Sequence, residues 1–595
     1  MKPSTILLVI AFLLPHSIHA QEQADLIITN GKVITLNKDQ PSAEALAIAG
    51  HKIIAVGSNK QILKYSNSKA KVIDAKGKTV IPGIYDSHLH VIRGGRFYNA
   101  ELRWDGVKSL KRALTMLREQ AARTPADQWV RVVGGWSEYQ FEEKRLPTLA
   151  EINEATGTTP AFILHLYGQA FLNKAGILKL GITGDTPNPA GGLIQKDQYG
   201  QPTGLLVAEP NAFILYSTLA KLPELKQEEK INSTKQFISE LNSLGVTSVM
   251  DAGGGFQNFP DDYGITDELS KKAELTVRLP YYLFAQKPGT ELQDYIKWIN
   301  MVEIAEHSGE NHSDDHTLEY RVQGGGENLV ASAGDFENFI KPRPELPALM
   351  ETQLKAVISK LVQNRWPFRL HATYNESISR FLNVIEQVDR ETPLNGLIWF
   401  FDHAETVSDE NLDRIKLLGG GLAIQDRMAF QAEGFISRYG KKAALNTPPV
   451  RRMMEKGIRV GGGTDGTRVS SYNPWLGIYQ FVTGKSVGGL EFAAKENQLD
   501  RITALKLYTQ GSASLIRQEH DRGMLKKGYL ADLAILSADY LNVDENDIKD
   551  IRSVLTILNG KVIYGSGEYK NLAPEVPKAL PDWSPVNFYG GYQYQ

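Results

Sequence analysis

Asp86-Ser87-His88-Leu89-His90-Val91 sets two imidazoles at an i, i+2 spacing just after the apolar run Val80-Ile81-Pro82-Gly83-Ile84-Tyr85. On a strand, residues two apart project to the same side. His88 and His90 therefore point together, with Asp86 beside them. Two neighbouring imidazoles begin a divalent-metal site, and neutral imidazole suits zinc. Asp86 is placed to orient one of them through a hydrogen bond. Alone, the pair reads first as two ordinary surface histidines at a strand end.

Four further positions end apolar or Gly-rich runs that read as strands. His371 closes Pro367-Phe368-Arg369-Leu370-His371, and His403 closes Trp399-Phe400-Phe401-Asp402-His403. Asp465 follows Ile458 to Thr464. Glu327 follows the run at Tyr320 through Gly324-Gly325-Gly326. Each has a plain reading by itself, as a hydrogen-bonded histidine or a turn acid. Gly461-Gly462-Gly463 is not followed by Gly-Lys-Ser/Thr, so a phosphate cradle is discounted. Together His88, His90, His371, His403 and Asp465 offer four histidines and an acid, a ligand set for zinc with room left for water.

The elements that would position them alternate strand and helix. Ser109 caps a helix carrying Leu110, Ala113, Leu114 and Leu117. Ile231, Ile238, Leu241 and Leu244 mark another, ended by Gly245, and the strand Val246 to Met250 follows. Further strands are expected at Thr276 to Phe284, Thr317 to Val322, Phe368 to Ala372, Gly396 to Asp402, Gly421 to Ile424 and Arg459 to Gly461. About eight such units predict an α/β fold, a TIM-type barrel with chemistry at the C-terminal ends of its strands.

Both chain ends look like β modules. Leu26 to Ile34 reads as a hairpin around Asn30-Gly31, and Val554 to Tyr564 as another around Asn559-Gly560. The expected organisation is a composite β-sandwich from 21–81 and 521–570 and a barrel over 82–520. An insertion at about 95–230 is expected to act as a lid or substrate wall, and 571–595 as an irregular tail.

Residues 1–20 have the form of a cleavable secretory signal: Lys2, an apolar stretch from Ile6 to Leu14, and Ser17-Ile18-His19-Ala20 before Gln21. The expected address is a bacterial periplasm or the cell exterior. No stretch is long enough for stable membrane insertion after cleavage. The 595 residues carry no cysteine, which excludes disulfides, thiolate ligands and a cysteine nucleophile. A net charge of -2 gives no electrostatic case for nucleic acid. The partner implied is a small-molecule substrate, and assembly into a homo-oligomer stays open.

The combined motifs resemble the amidohydrolase superfamily, and within it the amidohydrolase-3 group of YtcJ-like and N-substituted formamide deformylase-like proteins. The resemblance covers nearly the whole chain after the leader. It rests on Pro82 to His90, Gly191-Gly192-Leu193 with Gly200 to Gly204, His371, Asp402-His403-Ala404, Thr464-Asp465-Gly466 with Asn473-Pro474-Trp475, and Gly523 to Asp532. It implies that His88 and His90 are the first metal pair. It implies that His371 and His403 serve a second position, and that Asp465 is a metal-touching general base. Two departures stand out. The group often carries a lysine at the end of the fourth strand, where Tyr320 to Glu327 has none. Either Glu327 substitutes as a carboxylate ligand, or the site holds one ion instead of two. Gly168-Gln169 stands where the group often has Gly-His, which alters a polar substrate contact.

The chemistry implied is hydrolysis of a carbon-nitrogen bond other than a peptide bond, in an amide or N-acyl group. A bound divalent metal brings the pKa of its water to about 7. Asp465 takes the proton and returns it to the leaving nitrogen, and the metal with His371 or His403 stabilises the oxyanion. Deamination of a cyclic amidine by the same site is the alternative. A non-catalytic periplasmic binding protein is a third reading, against which the retained Asp465 and four histidines count. His307, His312 and His316 read as a solvated loop, and His165 as a satisfied interior histidine. Trp136 and Tyr139 read as packing or as a pocket wall.

Overall fold

The computed structural model describes residues 22–209, 211–304, 319–336, 338–339, 343 and 345–594. The leader and the His307, His312 and His316 segment lie outside the described residues.

Eight parallel strands form one sheet in chain order: β1 (Ile84–Leu89), β2 (Val246–Asp251), β3 (Leu279–Leu283), β4 (Tyr320–Gly325), β5 (Phe368–Ala372), β6 (Trp399–His403), β7 (Gly421–Gln425) and β8 (Arg459–Gly463). The sheet curls into a nearly closed barrel. At its top the Thr464 and Asp465 N–H groups donate to the His88 carbonyl at 3.2 and 2.7 Å, which brings β8 back beside β1. The barrel strands are buried on both faces, as parallel strands covered by helices must be.

Strand limits depart from expectation where a neighbour captures the backbone. Leu397 donates to Leu394 O, so the segment from Gly396 belongs to a turn and β6 starts at Trp399. The Thr276 carbonyl is held by Asn242 Nδ2, and β3 begins only at Leu279. β4 runs on to Gly325 because Gly324 and Gly325 pair with Tyr282 and Leu283 of β3.

The run from Val80 to Tyr85 is two strands in different sheets. Thr79–Pro82 belongs to an outer sheet and β1 starts at Ile84. Gly83 N–H donates to Asp532 O and Ile84 N–H to Gly245 O, both at 2.9 Å. The switch leaves no room for a side chain, since a Cβ on Gly83 would lie 2.2 Å from Thr247 Oγ1. Gly83→Ala is expected to destabilise the protein by about 1–3 kcal/mol through overpacking. Thr247→Ala in the same chain should recover most of the loss in thermal midpoint. No recovery would place the constraint elsewhere.

The outer module has two sheets. One pairs Leu26–Thr29, Ala45–Ala49, Lys52–Gly57 and Lys71–Asp74. The other joins the chain ends, with Leu533–Leu536 antiparallel to Thr79–Pro82. Ile28, Leu46 and Ile48 from the first share a core with Val80, Leu533, Ile535 and Leu555 from the second. The Asn30-Gly31 turn is not a hairpin. Its flanking strands lie in different sheets, and Gly31 N–H donates to Glu44 O. Asn559-Gly560 does close a hairpin, with Leu558 opposite Lys561 and φ of +54° and +74° at the two turn residues.

The insertion forms a six-stranded sheet from Glu101–Leu102 to Pro202–Ala208. Its helix Leu110–Arg123 is capped by Ser109, whose hydroxyl accepts from Arg112 N–H. Trp136 is fully buried against Trp104 and Phe141 and donates from Nε1 to Leu164 O at 2.9 Å, so it packs in the core. Tyr139 instead borders a cavity of about 100 Å³ with His165, Tyr167 and Phe430. The sheet rests on the loop after β8, where Arg103 Nη1 donates to Thr467 O at 3.1 Å. The tail is largely irregular yet tied down. Asn99 Nδ2 donates to Leu580 O, Gln120 Nε2 to Trp583 O, and Gln593 N–H to Asp105 O. Among the described residues, no helix is long and apolar enough to cross a membrane.

Candidate metal centre

The C-terminal ends of five barrel strands deliver six side chains to one place. His88 comes from β1 and His90 from just beyond it. Glu327 comes from the loop after β4, His371 from β5, His403 from the last position of β6, and Asp465 from the loop after β8. All are buried. His403, Ala404 and Asp465 take positive φ, at +78°, +54° and +54°. Residues other than glycine hold such angles only where surroundings over-determine them. Here Ala404 N–H is bound to Ala372 O and Asp465 N–H to His88 O.

Glu327 sits among the imidazoles. Its Oε2 lies 3.5 Å from His88 Nε2, 3.5 Å from His371 Nδ1 and 3.4 Å from His403 Nε2, and its Oε1 lies 3.9 Å from His90 Nε2. Asp465 Oδ1 lies 3.2 Å from His90 Nε2 and 3.5 Å from His88 Nε2. Two overlapping groups have ligand geometry: His88, His90 and Asp465, and His88, Glu327 and His403. His371 Nδ1 stands 2.9 Å from His403 Nε2.

Each imidazole turns one nitrogen inward and anchors the other to an acceptor. His88 Nδ1 meets Asp402 Oδ1 at 2.9 Å, and His90 Nδ1 meets Gly253 O. His371 Nε2 meets Asp335 Oδ1 at 3.2 Å, and His403 Nδ1 meets Gln425 Oε1 at 2.6 Å. Donation outward from His90, His371 and His403 fixes their tautomers and aims the inward lone pairs at a cation. The spacing suggests Asp86 as the orienting acid, but Asp402 holds His88. Asp86 accepts instead from the N–H groups of His88 and Thr464 and from Thr464 Oγ1, fixing the loop that carries Asp465.

Beneath the cluster, Arg369 donates from Nε to Asp402 Oδ2 at 2.8 Å and lies between the rings of Tyr282 and Phe400. Burial works to raise Asp402, but Arg369 and His88 outweigh it and hold the carboxyl at about 2. Burial likewise opposes the charge on Glu327 and Asp465. The surrounding histidines prevail and keep both carboxyls well below the ordinary range. His88 is pushed up to about 9: burial pulls it down, but Asp402, Glu327 and Asp465 prevail. The cluster therefore draws positive charge, and a metal can supply it in place of protons. His88 Nε2, Glu327 Oε2 and Asp465 Oδ2 are buried with no hydrogen bond, so the donors present fit a divalent cation.

Asp335, Gln425 and Arg369 carry no motif that would single them out. Asp402 alone has a local signal, adjacency to His403. His165 is satisfied by Glu138 Oε2 at 2.9 Å and takes no part.

The family model described as "Amidohydrolase family" matches residues 71–564. YtcJ of Bacillus subtilis is 26% identical over 553 residues, covering 90% of this chain and 98% of its own. The N-substituted formamide deformylase of Arthrobacter pascens is 24% identical over 569 residues, covering 91% and 99%. Among solved structures, an uncharacterized metal-dependent hydrolase from Pyrococcus horikoshii superposes with a TM-score of 0.60 at 21% identity, over 87% of this chain and 99% of that one.

Proposed function

This chain belongs to the amidohydrolase family, and from that premise we propose that it hydrolyses a non-peptide carbon-nitrogen bond in an amide or N-acyl compound. The observation that carries the reading is the convergence of four inward-facing imidazole nitrogens on Glu327 and Asp465. The similarity to an N-substituted formamide deformylase over nearly the full length of both chains supports the bond type.

His88, His90 and Asp465 would hold one ion, His371 and His403 a second, and Glu327 would be shared. Zinc is the first candidate, because the donors are imidazole and carboxylate. A cation there supplies Lewis acidity and a nucleophilic water at neutral pH. Asp465 is kept ionised by His88 and His90, and so is ready to accept a proton. Its Oδ2 has no hydrogen-bond partner. It takes the proton of the attacking water and delivers it to the leaving nitrogen, one carboxylate serving both transfers. Asp402 and Arg369 keep the His88 ring from turning. The insertion, through Tyr167 and Tyr216, walls the mouth. The signal-like residues 1–20 support export to a periplasm or the cell exterior.

The test is product analysis on zinc-loaded protein. N-formyl and N-acetyl amines should release free amine, while cyclic amidines should release no ammonia. Ammonia from the amidines with no amine from the N-acyl panel would replace this reading with deamination.

A further inference from the structure

Most buried arginines among the described residues come with a carboxylate, and Arg131, which has none, donates to Pro223 O. Arg103 pairs with Glu101, Arg278 with Asp532, Arg369 with Asp402 and Arg427 with Glu405. Arg93 and Arg468 do not. Each is only 7% exposed, and among the described residues neither forms an ion pair or donates a hydrogen bond. Arg93 Nε and Arg468 Nη1 are buried with no acceptor.

Both follow a candidate ligand closely in the chain. Arg93 follows His90 by three residues on the helix Val91–Phe97, and Arg468 follows Asp465 by three. A Cβ built on Gly254 would meet Arg93 Nη1 at 2.8 Å and His90 Nδ1 at 3.5 Å, so the guanidinium borders that ring. Arg468 lies over the ring of Tyr216 at 4.7 Å. Burial raises the Tyr216 hydroxyl to about 12, against the opposing charges of Arg468 and Arg93. Tyr167, 6.0 Å from Tyr216 between centroids, feels Asp465 and Glu327. Burial first, and then the like charge of Arg93, pushes Arg468 down to about 9. Two buried guanidiniums that repel each other and lack a carboxylate are unfavourable. A planar fork with open donors is the group that binds carboxylate oxygens two at a time.

We propose that Arg93 and Arg468 bind a carboxylate carried by the substrate, making it an N-acylated amino acid or a similar amide with an acid group a few bonds from the scissile C–N bond. The proposal rests on the amide-hydrolase reading above and narrows it. Water adds its oxygen to the acyl carbon, the C–N bond breaks, and a water proton passes through Asp465 to the nitrogen. A carboxylic acid and a free amino acid leave. Tyr167 and Tyr216 flank the bound acid.

The test uses the zinc-loaded full chain and two non-hydrolysable probes, 3-phenylpropanoate and 3-phenylpropan-1-ol, followed by calorimetry. Wild type should bind the acid about 30-fold or more tighter than the alcohol. Arg93→Met and Arg468→Met should each abolish that preference and leave alcohol binding unchanged. Neither variant should lower the thermal midpoint, since each removes an uncompensated buried charge. Equal binding of the two probes overturns the proposal. So does an acid preference that survives both variants, or a drop in midpoint showing that the arginines are structural. Inorganic phosphate displacing the acid at equal concentration would assign the subsite to phosphate and overturn the carboxylate. If the acid preference behaves as stated but neither N-acetylphenylalanine nor N-acetylphenethylamine is hydrolysed, the subsite stands and the hydrolase reading falls.

Discussion

Asp465→Asn is expected to keep its zinc and lose about 10³–10⁴-fold in kcat, the upper part of what general acid-base catalysis contributes. Asparagine has the same shape and still offers an oxygen, so the contact toward His90 and His88, now 3.2 and 3.5 Å, survives. What it lacks is a basic oxygen. Asp465 Oδ2 is buried without a hydrogen bond, and the carboxyl is held ionised against its own burial. Both features suit a group whose task is to receive a proton. Because that task is confined to the transition state, kcat and kcat/KM should fall together while KM barely moves. Amine release and metal content on the same preparation decide the matter. A variant within about tenfold of wild type in kcat with its metal intact would move the base elsewhere. A variant that loses metal in step with activity would make Asp465 a holding group only.

Glu327→Gln is expected to reduce bound zinc from about two ions to about one per chain and to lower kcat by about 100-fold. The carboxylate touches all four imidazoles, with Oε2 turned to His88, His371 and His403 and Oε1 to His90. A glutamine amide cannot accept at both ends and brings N–H donors against inward lone pairs. Its own charge also disappears from a cluster that Glu327, Asp465 and Asp402 make receptive to cations. The remaining His88, His90 and Asp465 still form a ligand group, so one ion should stay. Elemental analysis that finds one ion in both proteins would make the centre mononuclear, with Glu327 a neighbour only.

The barrel was legible because parallel strands buried on both faces leave near-continuous apolar runs, as at Phe368–Ala372 and Trp399–His403. Chemistry at strand ends then singles out His88, His371, His403 and Asp465. The loop geometry was not legible. Positive φ at His403 and Asp465 is imposed by the bonds from Ala404 to Ala372 O and from Asp465 to His88 O, partners far away in the chain. The Asn30-Gly31 signal failed for a related reason. A turn motif states which angles are easy, whereas strand pairing decides which sheet each side joins. Arg93 and Arg468 were invisible because an unpaired charge has no pattern, and its meaning comes from the carboxylate that is missing.

The sheet that joins the chain ends has a cost in time. Thr79–Pro82, made early, pairs with Leu533–Leu536, which the ribosome reaches only after the entire barrel. At about 5–20 residues per second the early strand waits on the order of tens of seconds with one edge open. Such an edge invites pairing with other nascent chains, so holding factors during synthesis should raise yield. A chain released before residue 533 cannot close that edge by itself, which makes truncated products the natural seeds of aggregation.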